Sequence, residues 1–387
     1  MSVQHVYIVG SKGAGNYGGF ETFVDKLTEY HQNNKNIQYH IAWKGAEFKE
    51  FEHNGAHSFQ IKVPNIGPAQ AIYYDVMALN YCIKHIKEND IENPIIYVLA
   101  CRIGPFAKHY QRIIHKLGGK LFVNPDGHEW LRAKWSAPVR KYWKLSEELM
   151  VKSADLLICD SKNIEKYIIE EYSKYNSKTV YISYGATVSC SKLKDDNQKL
   201  INWYKRFDLH KKEYYLVVGR FVPENNYETM IREFMNSSTK KNLAIITNAN
   251  DKFLSELDKK LNFRNDSRIK FVGTVYDKEL LMKIREEAYG YIHGHEVGGT
   301  NPSLLEALYC TDLNLLLDVC FNKEVAQDSA FYWNKNTNNL SRLLDYLDKI
   351  DQDVIDKMRV LSTKRIVSYY SWEKICMQYE KLWIGDC

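Results

Sequence analysis

The chain has 387 residues, of which 45% are hydrophobic and 26% are charged, and its formal net charge at pH 7 is +5. This length favours two domains of about 150–200 residues, and the ordinary globular composition excludes a low-complexity or disordered protein. No apolar run approaches the roughly 18–20 residues that span a bilayer, and the chain leads quickly from Met1 into the strand-like VYIVG. We therefore expect neither a secretory signal nor a membrane-spanning helix.

The eight cysteines are scattered along the chain, and none forms a C-x-x-C pair. No spacing of cysteines and histidines is typical of a zinc site. We expect reduced thiols in the core of a cytoplasmic protein, and the sequence predicts neither a metal site nor a cofactor.

Strand-like apolar runs alternate with helix-like amphipathic segments in the first half of the chain. The strands are HVYIVG, IQYHIAW, IIYVLA, KLFVN, DLLICD and TVYISYG. Helices are predicted near residues 20–33, 70–88, 105–117, 137–153 and 161–173. This alternation indicates right-handed β-α-β units and a parallel sheet.

The second half repeats the pattern with the strands YYLVVG, NLAIITN, RIKFVG, GYIHG and LNLLLD. The predicted fold is α/β, with two doubly wound, Rossmann-like domains that face each other across a cleft. We place the first domain at residues 1–188 and the second at 189–365, because residues 186–200 are polar and lack a pattern. A C-terminal helix, about 366–387, is expected to pack back on the first domain.

The loop after the first strand contains a G-x-G-x-x-G pattern at Gly13, Gly15 and Gly18. A dinucleotide fingerprint also needs an acid about 20 residues further on, at the end of the second strand. Lys44 follows that strand instead, so the pattern does not favour NAD binding. We expect Gly18 and Gly19 to present N–H groups to an anion or a polar sugar at a helix N-terminus, with a purely structural turn as the alternative.

The segment from Arg102 to Lys144 is basic and aromatic, with ten Lys or Arg residues and two acids. It predicts either a solvated basic face or a surface for anionic lipid or phosphate. Nucleic acid is not favoured, because no recognised nucleic-acid motif accompanies the charge.

Charged residues follow several predicted strands of the first domain. NPDGHEWLRAKW follows KLFV directly and contributes Asp126, His128, Glu129, Trp130, Arg132 and Lys134. Asp160 closes LLICD in the same way, and Tyr184 closes YISYG. The carboxyl ends of strands carry the ligands in doubly wound folds, so these residues are site candidates. Helix capping is the alternative for Asp160.

Two motifs of the second half indicate an anion site. GRFVPENN places Arg220 directly after a strand, and a guanidinium suits a diphosphate; a local salt bridge is the alternative. HGHEVGGTNPSLLEAL places Gly299, Thr300 and Asn301 at the start of a helix, where N–H groups bind anions. Glu306 lies about one turn into that helix and suits the hydroxyls of a ribose or deoxyribose.

Together, YGGFETFV, NPDGHEWLRAKW, GRFVPENN and GGTNPSLLEA resemble the retaining GT-B glycosyltransferases of family 4, over essentially the whole chain. Within that family they resemble the rhamnosyltransferases of streptococcal-type cell-wall and capsule synthesis. Members of this branch transfer L-rhamnose from dTDP-L-rhamnose to a lipid-pyrophosphate-linked sugar. The resemblance implies metal-independent transfer with retention at the inner face of the plasma membrane. It also implies an undecaprenyl-pyrophosphate-linked glucose or GlcNAc as acceptor and a β-1,4 linkage.

The motifs and this resemblance assign three sets of residues. The catalytic set is Asp126, His128 and Asp160. The donor-binding set is Gly18, Gly19, Arg220, Asn225, Gly299, Thr300, Asn301 and Glu306. The set that binds or positions the acceptor is Glu129, Trp130, Arg132, Lys134 and Tyr184.

The sequence departs from the wider family at two positions. Asn225 stands where the family has a lysine, and Gly298 stands where it has the first glutamate of a Glu-x7-Glu pair, with Glu296 two residues away. These departures leave a family 4 transferase for another nucleotide sugar, such as a UDP-hexose, as an alternative. A sugar-nucleotide epimerase and a catalytically inactive binding subunit are further alternatives.

Overall fold

The computed structural model of the chain describes residues 3–13, 18–132, 135–249 and 251–385. By their contacts, the residues divide into two compact units. The first comprises Met1–Gly185, Gly298–Thr300 and Trp372–Cys387, and the second comprises Ala186–Val297 and Asn301–Ser371. None of the helices within the described ranges is long and apolar enough to cross a membrane.

The first unit is built on an eight-stranded sheet in the order β3-β4-β2-β1-β5-β6-β7-β8. Its strands are β1 (Gln4–Val9), β2 (Ile37–Gly45), β3 (Lys49–His53), β4 (Ala56–Lys62), β5 (Ile95–Leu99), β6 (Lys120–Asn124), β7 (Leu156–Cys159) and β8 (Thr179–Tyr181). Its helices include α1 (Gly19–His31), α2 (Gln70–Glu88), α3 (Gly104–Lys116), α4 (Ala137–Ser153) and α5 (Lys162–Glu171). The central strands β1 and β5 consist largely of fully buried apolar residues, as parallel strands covered on both faces require.

One strand of this sheet is antiparallel, which differs from the expected all-parallel arrangement. β3 and β4 form a hairpin through Asn54 and Gly55, whose φ angles are 51° and 70°. Positive φ at both central residues is the requirement of a type I′ turn, and Asn-Gly is its preferred sequence. This short-range signal therefore adds an antiparallel strand at the edge of the sheet.

The second unit is built on a six-stranded parallel sheet in the order β11-β10-β9-β12-β13-β14. Its strands are β9 (Tyr214–Val218), β10 (Asn242–Ile246), β11 (Ile269–Gly273), β12 (Gly290–His293), β13 (Leu313–Leu317) and β14 (Phe331–Trp333). Its helices are α6 (Gln198–Phe207), α7 (Tyr227–Met235), α8 (Asp251–Leu261), α9 (Lys278–Glu287), α10 (Pro302–Cys310), α11 (Cys320–Ala326), α12 (Asn339–Leu347) and α13 (Gln352–Tyr369). The two parallel-sheet units confirm the predicted fold class.

The last helix, α14 (Trp372–Ile384), packs back on the first unit, as expected. The Trp383 indole donates a hydrogen bond to the hydroxyl of Tyr39 at 2.9 Å, and the hydroxyls of Tyr97 and Tyr379 lie 3.2 Å apart. All four side chains are nearly fully buried. The end of the chain is thereby part of the core beneath β1, β2 and β5.

Four of the cysteines, Cys82, Cys101, Cys159 and Cys376, are buried free thiols, as expected for core residues. Cys190 and Cys320 are instead exposed, and Cys310 is half-buried. Cys387 lies outside the described residues.

Candidate functional site

The candidate residues of the first unit lie at the carboxyl edge of its sheet. The end of β1 leads towards Gly18 and Gly19, the end of β6 towards Asp126 and His128, and the end of β7 to Asp160. Since β1, β6 and β7 run parallel, these ends share one edge. The ligands of doubly wound folds bind at this edge.

The start of α1 already faces a carboxylate of the protein itself. Glu21 is buried, and its Oε1 accepts a hydrogen bond from the backbone N–H of Lys12 at 2.7 Å. A Cβ added to Gly18 would lie 1.9 Å from Oε2 of Glu21. A ligand anion at Gly18 and Gly19 would therefore require the Glu21 side chain to move. Gly15 of the motif lies outside the described residues.

The turn after β6 holds the backbone in conformations that are rare for residues other than glycine. Asp126 and His128 have φ angles of 57° and 45°, and Ala100, after the neighbouring β5, has a φ of 74°. Such strain is stored where the surrounding structure enforces it, which is common at functional sites. Asn124 enforces it here, because its Oδ1 accepts the N–H of Asp126 at 2.7 Å and its backbone oxygen accepts the N–H of Ala100 at 2.9 Å.

Burial and neighbouring charge set the protonation of the catalytic candidates. Burial raises the pKa of Asp126, while the charge of Arg132 opposes that shift. Burial, and next the charge of Lys144, lower the pKa of His128, so its ring is neutral at pH 7. A carboxyl with a raised pKa beside a neutral imidazole suits proton transfer near neutral pH.

Two of the expected acceptor-binding residues contact each other. Glu129 and Arg132 form an ion pair with 2.5 Å between Oε2 and Nε. Trp135 donates its indole N–H to Oε1 of Glu129 at 2.8 Å. Trp130 instead lies under the Lys144 ammonium, which is 4.7 Å from its ring centroid. Another acceptor candidate, Lys134, lies outside the described residues.

A cluster around Lys144 and Glu147 completes this edge, and sequence reasoning did not include it. Oε1 of Glu147 accepts hydrogen bonds from Tyr167 and Tyr172, each at 2.5 Å, and burial raises the pKa of Glu147. The ring centroid of Tyr167 lies 4.3 Å from that of His128. Glu147 lies about one helical turn before the buried Met150 and Val151 of α4, and this spacing is the sequence signal that could have identified it.

Helix capping does not explain Asp160. The N-cap of α5 is Ser161, whose hydroxyl accepts the N–H of Asn163 at 3.1 Å. Asp160 is buried, and its backbone oxygen accepts the hydroxyl of Thr300 at 2.5 Å within the first unit. A Cβ added to Gly299 would lie 2.0 Å from Oδ1 of Asp160, so only glycine fits there without a shift.

Tyr184 has the environment of a core residue. Its side chain is buried, and its ring meets those of Phe20 and Phe23 edge-on at centroid distances of 6.3 and 5.7 Å. Burial raises the pKa of its hydroxyl well above the usual range. Tyr184 thus supports α1 from below the candidate edge.

In the second unit, Arg220 follows β9 and is exposed. Among the described residues, no acid lies within ion-pair distance of its guanidinium, so the local salt bridge considered from the sequence does not form. Nδ2 of Asn225 donates to the backbone oxygen of Arg220 at 2.8 Å, and its Oδ1 lies 2.7 Å from Nδ1 of His295. Asn225 therefore shapes the loop that presents Arg220.

Two other residues near this loop were not predicted from the sequence. Glu224 is buried, and its Oε2 has no hydrogen-bond partner among the described residues. His293 is also buried, and burial lowers its pKa far below the usual range. Its Nδ1 lies 3.2 Å from the hydroxyl of Tyr291.

The helix motif of the second unit folds as its sequence indicates at the cap, but Glu306 has a partner that the sequence did not reveal. Asn301 caps α10 by accepting the N–H of Leu304 at 3.2 Å, and Pro302 opens the helix. Oε2 of Glu306 lies 2.7 Å from Nη1 of Arg285, which is 3% exposed. Arg285 also donates to the hydroxyl of Ser303 at 3.2 Å. Arg285 fixes Glu306 on α10, and a ligand would meet a carboxylate that is already paired.

Comparison with known structures identifies the architecture. The protein HepE (Alr3699) of Anabaena in complex with UDP matches with a TM-score of 0.71 and 11% identity, over 99% of this chain and 100% of that one. Sucrose-phosphate synthase of Thermosynechococcus elongatus matches with a TM-score of 0.74 and 15% identity, over 99% and 98% of the chains. A glycosyltransferase of Rickettsia africae matches with a TM-score of 0.74 and 12% identity, over the same shares. The chain has the GT-B fold.

Comparisons of the sequence with domain families and curated proteins identify no activity. The model of a domain family described as a domain of unknown function, DUF1972, matches residues 3–187. No curated protein matches the sequence.

The Arg285–Glu306 pair generates a stability prediction. Arg285→Ala is expected to lower the free energy of unfolding by about 1–3 kcal/mol, because it removes a buried charged donor from both Glu306 and Ser303. Glu306→Gln is expected to cost less, since the amide oxygen still accepts a hydrogen bond and the side chain is 35% exposed. Urea denaturation of both variants measures the difference. Equal stability of Arg285→Ala and the wild type would contradict a structural role for the pair.

Proposed function

We propose that the protein is a retaining glycosyltransferase that moves L-rhamnose from dTDP-L-rhamnose to a lipid-pyrophosphate-linked sugar. Arg220 is the observation that carries the proposal, because an exposed guanidinium without an acidic partner at the end of a parallel strand suits a diphosphate. The fold supports it, since HepE was solved with UDP and with UDP-glucose. The rhamnose and dTDP assignments rest on the sequence motifs.

In this proposal the second unit binds the donor. Arg220 neutralises the diphosphate, and the N-terminus of α10 adds N–H groups and a positive dipole end. Both act on the charge that develops as the sugar leaves, which is where preorganised electrostatic groups accelerate a reaction most. No metal ion is required for that role, because cationic and backbone groups supply it.

The residues at the carboxyl edge of the first sheet act on the acceptor. We assign Asp126 and His128 to the acceptor hydroxyl, with Asp160 nearby as a carboxylate that stabilises positive charge on the sugar. The described residues include no carboxylate that is obviously placed as a covalent nucleophile. A front-face displacement therefore fits best, in which the leaving diphosphate takes the proton of the acceptor hydroxyl.

The donor assignment is tested by binding and kinetics. Arg220→Ala is expected to weaken dTDP binding by roughly 10–100-fold, the loss of a charge-assisted hydrogen bond, and to raise the donor KM while lowering kcat. Calorimetric titration with dTDP, UDP, GDP and NAD measures the first effect. Arg342→Ala is the matched control, because Arg342 is an exposed arginine of the same unit on α12.

The outcomes separate the alternatives. Tighter binding of UDP than of dTDP would favour a transferase for another nucleotide sugar. Consumption of the nucleotide sugar without any acceptor would favour an epimerase. Unchanged dTDP binding and kinetics in Arg220→Ala would remove Arg220 from the site.

The acceptor assignment predicts a pH dependence. Asp126 must be ionised to accept a hydrogen bond from the acceptor hydroxyl and orient it, so kcat should fall as the pH falls through the pKa of Asp126, which burial has raised. Asp126→Asn is expected to lower kcat by about 10²–10⁴-fold and to remove this acid limb. Asp353→Asn, an exposed aspartate of α13, serves as the control. A wild-type acid limb that persists in Asp126→Asn would assign the titration to another group.

A lipid-linked acceptor also requires the protein to reach an anionic membrane surface. The segment 102–144 supports such a surface, since Arg140 and Lys141 are exposed without an ion-pair partner among the described residues. The same segment also contains the exposed apolar side chains Phe106 and Leu131.

The double variant Arg140→Glu/Lys141→Glu is expected to reduce sedimentation with vesicles that contain anionic lipid, because each cation near such a surface contributes about 1 kcal/mol. Wild-type sedimentation with neutral vesicles is the control. Equal binding of the wild type to neutral and anionic vesicles would contradict the membrane assignment.

A further inference from the structure

A cluster of four histidines lies on β1, β2, β4 and α2, on the other half of the first sheet from β6 and β7. His40 of β2 is paired in register with Tyr7 of β1 on one side and with His57 of β4 on the other. His85, in the last turn of α2, covers the same face, with its ring centroid 5.0 Å from that of His40 and 4.8 Å from that of His57. His5 lies at the start of β1 and stacks on His40. None of these residues has a role in the proposed transfer.

One ring nitrogen of each of His40, His57 and His85 lies within 4.8 Å of those of the other two. Nδ1 of His40 and Nδ1 of His57 are 3.1 Å apart. Two nitrogens bound to one tetrahedral Zn²⁺ at about 2.0–2.1 Å are separated by about 3.3–3.4 Å. The first pair is therefore already at nearly the required separation, and His85 must approach by a rotation of its half-buried side chain.

The opposite nitrogen of each of these three rings has its own partner. Nε2 of His40 lies 2.9 Å from Nδ1 of His5, and Nε2 of His57 lies 3.5 Å from the Glu50 carboxylate. Nδ1 of His85 lies 2.8 Å from the hydroxyl of Tyr7. Nε2 of His85 is therefore the nitrogen that can coordinate a metal ion. Metal-binding histidines characteristically donate the second ring N–H in this way, because the partner fixes both the tautomer and the ring orientation.

The surroundings also suit a bound cation. A cavity of about 420 Å³ opens beside His5, His40 and His85, and its wall includes the acidic residues Asp90 and Glu92. It gives access to solvent and room for a water ligand.

We propose that His40, His57 and His85 bind a divalent transition-metal ion, with water as a further ligand, at a site distinct from the transfer site. Three neutral imidazoles are a borderline ligand set that suits Zn²⁺, Ni²⁺ or Cu²⁺ rather than Mg²⁺ or Ca²⁺. The ion would link β2, β4 and α2. Glu50 is a positioning residue, because its carboxylate lies 3.5 Å from Nε2 of His57, the ring nitrogen that would not bind the ion.

The test uses the full chain after removal of metal with a chelator. Calorimetric titration with ZnCl2 should show one Zn²⁺ per chain, and Zn²⁺ should raise the melting temperature, because a ligand of the native state stabilises it. His57→Gln and His85→Gln should each weaken Zn²⁺ binding by at least about 100-fold. Glu50→Gln should weaken it by about 10–100-fold, the usual effect of losing an outer partner. His109→Gln, an exposed histidine of α3, is the matched control and should bind as the wild type does.

Two results would overturn the proposal. One is the absence of saturable Zn²⁺ binding near one equivalent, which would leave the cluster as a hydrogen-bonded chain of imidazoles. The other is binding that His57→Gln and Glu50→Gln leave unchanged, which would assign the ion elsewhere, for example to the exposed Cys190 or Cys320. The carboxylate of Glu50 is half-exposed, so Glu50→Gln gives a folded variant even if a histidine variant is unstable. The visible spectrum of the Co²⁺-loaded wild type then reports directly whether nitrogen ligands surround the ion.

Discussion

The turn held by Asn124 is the constraint on which the first unit's candidate site depends. Asn124 is buried at the end of β6, and it fixes both Asp126, through its side chain, and Ala100, through its backbone. The chain can then leave two adjacent strands with left-handed residues and bring Asp126 and His128 to the sheet edge. A relaxed turn would place these side chains elsewhere, so the strain and the placement of the catalytic candidates have one cause.

The distribution of ion pairs distinguishes the two kinds of candidate residue. Arg102 is paired with the buried Asp75, Arg132 with Glu129 and Arg285 with Glu306, so these three guanidinium groups are committed to the protein itself. Arg220 is exposed and has no such acid among the residues that the structure describes. An exposed charge without an ion-pair partner in the protein carries no desolvation cost, and it remains available to bind a ligand. This contrast is why Arg220, rather than the more elaborate buried networks, supports the donor assignment.

The sequence was sufficient for the fold class but not for the contacts within the site. Alternating strands and helices are local patterns, and they predicted two doubly wound units because each strand and helix is specified by its own residues. The β3–β4 hairpin was missed although Asn54-Gly55 is a local turn signal. The partnership of Glu306 with Arg285 joins neighbouring helices that strand β12 separates in the chain, and no periodicity encodes it. The placement of the catalytic and donor residues in one reaction remains a prediction.

The histidine cluster shows the same limit most clearly, because His40, His57 and His85 are 17 and 28 residues apart and match no metal-binding spacing. They meet only because β2 pairs with β4 and α2 crosses that face of the sheet. β1 connects this cluster to the candidate site, since it begins beside His5 and ends at the loop that leads to Gly18. A metal ion bound at the cluster would stiffen β2, β4 and α2 without touching a residue assigned to transfer. Its effect is therefore expected in the stability of the first unit, and chemistry at the opposite end of β1 can proceed with or without it.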